Sequence, residues 1–290
     1  MSNIEFLYHY TSRNGLDGIM SNSSFWATRS IFSNDIQDSK YIKSILSQVL
    51  KLYDNKKYKD FKKSLYYTFN YAENECITPS NCKNEIFEKA FIISFSHKKD
   101  SRFFWEAYTQ NDGFNLMFNK KKLINHFNLY KPNIYFNRFM HRNVIYNEKE
   151  QKRIIIKILE NALKYYKYCG KDSIKKDKII KNLVKKFIFE APFFKDSFWE
   201  EEKEYRFAFF RKYHDKNLVD INFNHKPKYE GLDSKQTYIN LPFDTNLIQK
   251  IIIGPCSIID INKFLSSYCF FNNNIFQKSK GYGFVRKFIV

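Results

Sequence analysis

The stretch Phe6 to Thr28, FLYHYTSRNGLDGIMSNSSFWAT, decides how the chain opens. Phe6 to Tyr10 is short, aromatic and free of Gly or Pro, and reads as a strand. Thr11 and Ser12 then place hydroxyl side chains where the first free amides of a helix need acceptors, so a helix is expected over Arg13 to Asn22. Phe25 to Thr28 reads as a second short strand. Beyond it, Ser33, Asn34 and Asp35 favour a turn or a helix start within Ile31 to Asp38.

Working outward, Ile42, Ile45, Leu46, Val49, Leu50 and Tyr53 recur at helical spacing. Tyr58, Phe61, Leu65, Phe69 and Ala72 continue the period after a polar break, which defines a helical insert over about residues 36–75. A loop with Pro79 and Cys82 leads to Ala90 to Ser96, AFIISFS, short and β-branched enough for a buried strand. Arg102 to Thr109 reads as a helix, Asn111 to Gly113 as a turn and Phe114 to Phe118 as a strand.

Val144 and Ile145 suggest a further strand. Residues 148–190 carry two apolar stripes, Ile156, Leu159, Leu163 and Tyr166, then Ile180, Leu183, Val184, Phe187 and Ile188, as amphipathic helices do. Glu204 to Phe210, Tyr238 to Leu241 and Lys250 to Ile253 read as strands, with a polar loop from the first of these to about Gln236. A capped helix is expected over Ser257 to Tyr268 and a terminal strand over Gly283 to Ile289. The expected class is α+β, with mixed, mainly antiparallel small sheets and inserted amphipathic helices in one domain over residues 1–290.

Charge is the strongest compositional signal. The 290 residues hold 49 Lys and Arg against 30 Asp and Glu, a net charge of +19. Residues 120–190 alone hold 19 Lys and Arg against 6 Asp and Glu, a concentration able to attract a polyanion such as RNA, DNA or a nucleotide. Solvated faces of lysine-rich helices would give the same composition. Five cysteines without a CxxC pair argue against a disulfide framework and a zinc site. The N-terminus lacks a signal-peptide pattern and no apolar run is long enough to span a bilayer, so a cytoplasmic protein without membrane contact is expected.

Three separated clusters carry side chains suited to chemistry. Tyr8, His9, Tyr10 and Thr11 lie at a strand end before a helix, where an imidazole can bond a ribose hydroxyl and a helix N-terminus can face a phosphate. Ser94, Phe95 and Ser96 precede Arg102, Trp105 and Tyr108; the last two are three residues apart on a helix and could wall a flat pocket or simply fill the core. Trp199, Glu202, Glu204 and Arg206 form the third. If extended, Glu202, Glu204 and Arg206 share one face while Tyr205 and Phe207 point to the other. Such a carboxylate pair can stabilise positive charge or act as a general base, or can be an ordinary surface ion pair. The histidines show no HxH or HExxH spacing, and no Walker, GxGxxG or GxSxG motif occurs.

The pieces LYHYTS, FWATRSIFSND, SFSHKKDSRFFWEAYTQNDGFNLMF, VIY, WEEEKEYRF and IIIGP resemble, in order and separation, a large uncharacterised prokaryotic family of domains of unknown function. The placement of a His on the first strand, an aromatic-bearing helix and a Glu on a late strand also resembles the His-Tyr-Glu arrangement of ADP-ribosyltransferases, particularly those that modify nucleic acid. That resemblance implies an NAD-dependent ADP-ribosyltransferase-like core, in a toxin or anti-phage effector that could have an antitoxin or sensor partner. It implies that His9, with Tyr10, Thr11 and Arg206 nearby, would hold NAD, that Trp105 or Tyr108 would stack on nicotinamide, and that Glu204, with Glu202 as its competitor, would act on the ribose. Two other expectations stand beside it: a non-catalytic nucleic-acid-binding or sensor module, and a metal-dependent nuclease using Asp35, Asp38, Glu202 and Glu204.

Overall fold

The computed structural model describes residues 4–30, 38–53, 58–77, 89–130, 138–211, 223–227, 235–257 and 276–279. The chain opens as its sequence dictates, with β1 (Phe6–Ser12), α1 (Arg13–Asn22) and β2 (Ser24–Arg29). Ser12 caps α1, its hydroxyl accepting from the Gly15 amide. Then come α2 (Asp38–Lys51), α3 (Lys59–Ile77), β3 (Lys89–Ser96), α4 (Arg102–Thr109), β4 (Gly113–Asn119), α5 (Lys120–Phe127) and β5 (Arg138–Asn143). The two basic helices are α6 (Glu148–Tyr168) and α7 (Ser173–Glu190), capped by Asn147 and Asp172. β6 (Glu204–Arg211), β7 (Phe223–Pro227), β8 (Lys235–Pro242), β9 (Ile248–Ile253) and β10 (Phe276–Lys278) follow.

These strands join one mixed, mostly antiparallel sheet rather than several small ones, in the order β10-β9-β4-β1-β3-β2-β8-β7, with β6 on β3 and β5 on β6. The α+β class holds. Sheet continuity depends on β3, which has three neighbours. One edge of β3 pairs with β6 along its whole length, from Lys89 opposite Arg211 to Ser96 opposite Glu204. The other edge is shared: Phe91 and Ile92 pair with β2, whereas Ser96 pairs with Tyr8 of β1. The sheet therefore forks between β1 and β2.

Alternation along β3 and β6 sorts side chains between two faces. Phe91, Ile93 and Phe95 of β3 and Tyr205, Phe207 and Phe209 of β6 enter the largest core, closed by Leu16, Ile19 and Met20 of α1 and by Leu123 and Phe127 of α5. Burial of each such aromatic or aliphatic side chain contributes roughly 1.5–3 kcal/mol. On the opposite face the strands change character along their length. Ala90, Ile92, Ala208 and Phe210 pack with Phe193, while Ser94, Ser96, Glu204 and Arg206 occupy the far end, with Ser94 opposite Arg206 and Ser96 opposite Glu204. Helices α2, α3, α6 and α7 share a separate apolar cluster around Leu65, Leu159 and Phe187, so the helical insert and the basic segment form one bundle.

Two local expectations change. The strand foreseen at Val144 and Ile145 is β5, at Arg138–Asn143; beyond its end the Val144 amide donates to the Glu204 carbonyl at 3.0 Å and the Ile145 amide to the Phe193 carbonyl at 2.8 Å. The region read as a polar loop before Gln236 contains β7, whose pairing with β8 compensates for its lack of an apolar pattern. The helix expected over Ser257 to Tyr268, apart from Ser257 itself, and the strand expected over Gly283 to Ile289 fall outside the described residues. Among the described residues, no helix is long and apolar enough to cross a membrane.

Candidate functional site

A cavity of about 380 Å³ opens at the fork, on the polar end of the β3–β6 face. Its lining includes His9 and Tyr10 from β1, Ser94 and Ser96 from β3, Tyr108 from α4 and Lys195, Trp199, Glu202, Glu204 and Arg206 from the segment entering β6. The three sequence clusters thus meet in one hollow.

Glu204 and Arg206 reach it because β6 is fully buried and its alternation directs both to this face. Glu202 arrives by a different route from the extended one expected. It ends a 3₁₀ turn, Ser197–Glu202, and Lys203 takes a left-handed conformation (φ 44°) before β6 begins. That reversal brings Glu202 beside Glu204 without extending the strand. Ser96 secures the turn by donating to the Glu202 carbonyl at 2.7 Å.

The two carboxylates sit in a dense ionic cluster. Lys195 donates to Glu202 at 2.5 Å and lies 3.4 Å from Glu204, while Arg206 bonds Glu204 through Nε and the Pro192 carbonyl through Nη1 at 2.8 Å. Tyr108 donates its hydroxyl to Glu202 at 2.7 Å. Glu202, Glu204, Lys195 and Arg206 are all buried. Burial, then repulsion from Glu204, raises the Glu202 carboxyl to about 7 against the pull of Lys195. Burial would raise Glu204 as well, but Arg206 and Lys195 outweigh it and hold that carboxyl well below its usual range. One carboxyl is therefore poised to exchange a proton near neutral pH and its neighbour stays ionised, a division of acid–base character typical of reactive carboxylate pairs. Burial, reinforced by both glutamates, pushes the Tyr108 hydroxyl far up, so it remains a donor.

Lys195 was not legible as a site residue. Its backbone is fixed by Gln151, fully buried on α6, whose amide donates to the carbonyls of Ile145 at 2.6 Å and Lys195 at 2.9 Å. Its ammonium lies 5.1 Å from the centre of the Trp199 ring. The one available signal was a lysine directly after the apolar run Ala191 to Phe194. Trp26 and Phe104 also line the cavity without having been singled out.

His9 bonds the Ser94 carbonyl through Nδ1 at 3.0 Å, and its ring packs edge-on to Phe25 and against Phe95. Tyr10 stacks on Phe104, and its hydroxyl donates to the Lys98 carbonyl and accepts from the Ser101 amide, holding the loop before α4. Thr11 does not line the cavity. Trp105 and Tyr108 part company: Trp105 is fully buried, packs with Tyr8 and Ile252 and donates to Asp100 at 2.6 Å, whereas Tyr108 stacks on Phe104 and faces the cavity. Asp35 lies outside the described residues and the side chain of Asp38 is not described. Among the described residues, no group of three or more His, Cys, Asp or Glu side chains is arranged to hold a metal ion.

No curated protein and no solved structure matches the chain. Residues 104–207, from α4 into β6 and including Tyr108, Lys195, Glu202, Glu204 and Arg206 but not His9, match the model of a family described as a protein of unknown function (DUF2971).

Proposed function

We propose that this protein transfers ADP-ribose from NAD to an acceptor, with the cavity at the sheet fork as its reaction site. The observation that carries the reading is that His9, Tyr108, Glu202 and Glu204, from distant parts of the sequence, line one hollow. Its volume lies low in the ~300–1000 Å³ range of ligand pockets, the size of one ring and one sugar, so the adenosine half would lie across the mouth.

When bound, NAD would supply a glycosidic bond that breaks with its electron pair leaving on the nicotinamide nitrogen, while the acceptor's lone pair closes on the same ribose carbon. His9 would accept a hydrogen bond from a ribose hydroxyl at Nε2, because Nδ1 carries the hydrogen donated to the Ser94 carbonyl. Tyr108, backed by Phe104, would present its ring to the nicotinamide. Glu204, held ionised by Arg206 and Lys195, would stabilise the positive charge developing at the ribose carbon. Glu202 would take the acceptor's proton.

A second reading, a binding module without chemistry, is favoured by one observation: Glu202, Glu204, Lys195 and Arg206 pair with one another, as a purely structural network would. Incubating the protein with NAD labelled in its adenylate portion and with RNA, DNA or protein separates the two. Transfer of label that disappears in Glu204→Gln supports the transferase. NAD bound but never cleaved supports the module, and a protein that neither binds nor cleaves NAD removes the transferase altogether. Thermal unfolding of Glu204→Gln keeps loss of folding from passing as loss of chemistry.

A further inference from the structure

We propose that the groove between α6 and α7 binds single-stranded nucleic acid, with lysines on its phosphates and two tyrosines on its bases. This site is separate from the cavity at the fork and does not depend on the transferase reading.

The groove encloses about 910 Å³, and Arg138, Lys178, Lys185 and Lys186 are among its lining residues, while among the described residues no carboxylate lines it. Of the nearby acidic side chains, Asp172 pairs with Lys175, itself on the groove wall, and Asp177 pairs with Lys181, so the remaining lining cations set the sign of the groove. One sign of charge in a concave surface focuses a field that attracts a polyanion. The helices have already buried their apolar stripes, α6 through Ile155, Leu159 and Leu163 and α7 through Ile180, Leu183, Val184 and Phe187. Tyr165 and Tyr168 are left outside that core, 62% and 79% exposed, yet both line the groove. Three residues apart, they are neighbours on one helix face. Rings beside a track of cations are the elements that hold unpaired bases, since stacking needs only a base's flat face and charge follows the backbone. Concavity favours a strand over a membrane, which is flat on this scale.

The groove also connects with the sheet. Arg138, its guanidinium 4.3 Å from the centre of the Phe189 ring, starts β5 opposite Phe210, while β6 begins at Glu204 in the cavity. Six residue steps along β6 separate Phe210 from Glu204, ~20 Å at the usual rise per residue. A ligand held in the groove and reaching the cavity would have to be an extended polymer.

The test is fluorescence anisotropy of labelled single-stranded RNA and DNA oligonucleotides without NAD, in the full chain and in Glu204→Gln. Both proteins are expected to bind equally, with log affinity falling against log salt by about 0.7 per phosphate engaged. Lys178→Glu with Lys186→Glu, both exposed, should lower affinity at least ~30-fold at low salt and reduce that slope by more than 1. Tyr165→Ala with Tyr168→Ala should weaken binding by roughly 10-fold or more with the slope unchanged, and Phe at both positions should restore it. The proposal is overturned if the lysine reversals leave affinity unchanged, if a duplex of equal length binds more tightly than either single strand, or if phosphatidylserine vesicles bind where oligonucleotides do not.

Discussion

The Nδ1 atom of His9 lies 3.0 Å from the carbonyl oxygen of Ser94, at the point where β3 exchanges β2 for β1 as its neighbour. Among the described residues Ser94 has no strand partner on that edge, so the imidazole takes the place of a backbone amide. A carbonyl only accepts, which assigns the hydrogen to Nδ1 and leaves Nε2 as an acceptor.

Burial pushes the His9 imidazole below its ordinary value. The neutral ring is the form that the fold favours, so the stability His9 contributes is complete above about pH 6.5 and is lost as pH falls through the lowered folded value. Nitrogen-detected NMR should find the Nδ1–H tautomer, with the ring taking its proton at lower pH than a free imidazole does. His9→Ala should cost about 1–3 kcal/mol in urea unfolding, because the Ser94 carbonyl loses its partner.

Lys195 is the bridge between the paired carboxylates, bonding Glu202 and lying 3.4 Å from Glu204. Lys195→Met should destabilise the protein by about 3–5 kcal/mol, since it leaves buried negative charge uncompensated. Adding Glu202→Gln to Lys195→Met should recover a large part of that loss. Equilibrium unfolding of the two single variants and the double variant measures the coupling, and strict additivity would contradict it.

The carboxylates give stability opposite slopes with pH. Glu204 is held down, so its contribution is present above about pH 4.5 and is lost on further acidification. Glu202 is raised to about 7, so from about 4.5 to 7 the folded protein keeps a proton that the unfolded chain has released. Stability from this group falls as pH rises across that window. Glu202→Gln should flatten the profile there, whereas Glu204→Gln should diminish the loss at the acid end. Denaturation midpoints collected from pH 3 to 8 check both.

The aromatic pair on α4 should separate by phenotype. Trp105→Ala should cost about 3–5 kcal/mol, as expected of a fully buried ring. Tyr108→Phe should cost only about 1–2 kcal/mol through its lost bond to Glu202. Tyr108→Ala should weaken NAD binding by more than it lowers stability. Calorimetric titration with NAD beside thermal melts distinguishes a ligand-facing ring from a core one.

Local signals determined much of this protein. The hydroxyl cap before Arg13, the apolar stripes of the four bundle helices and the AFIISFS strand are written in neighbouring residues, because capping and amphipathicity act within a few positions. The same alternation that put Glu204 and Arg206 on one face was legible in EYRFAFFR. Joining of the strands into one forked sheet was decided only by tertiary structure, since β3 pairs with partners more than sixty residues away in either direction and no local pattern encodes which edge each one takes. So was the membership of the site. Lys195 enters it because Gln151 holds its backbone, Glu202 because Lys203 turns left-handed, and Tyr108 rather than Trp105 because the sheet beneath α4 covers one ring and leaves the other facing the cavity. Side-chain chemistry can be read residue by residue; which groups share a hollow depends on long-range packing that only the assembled chain contains.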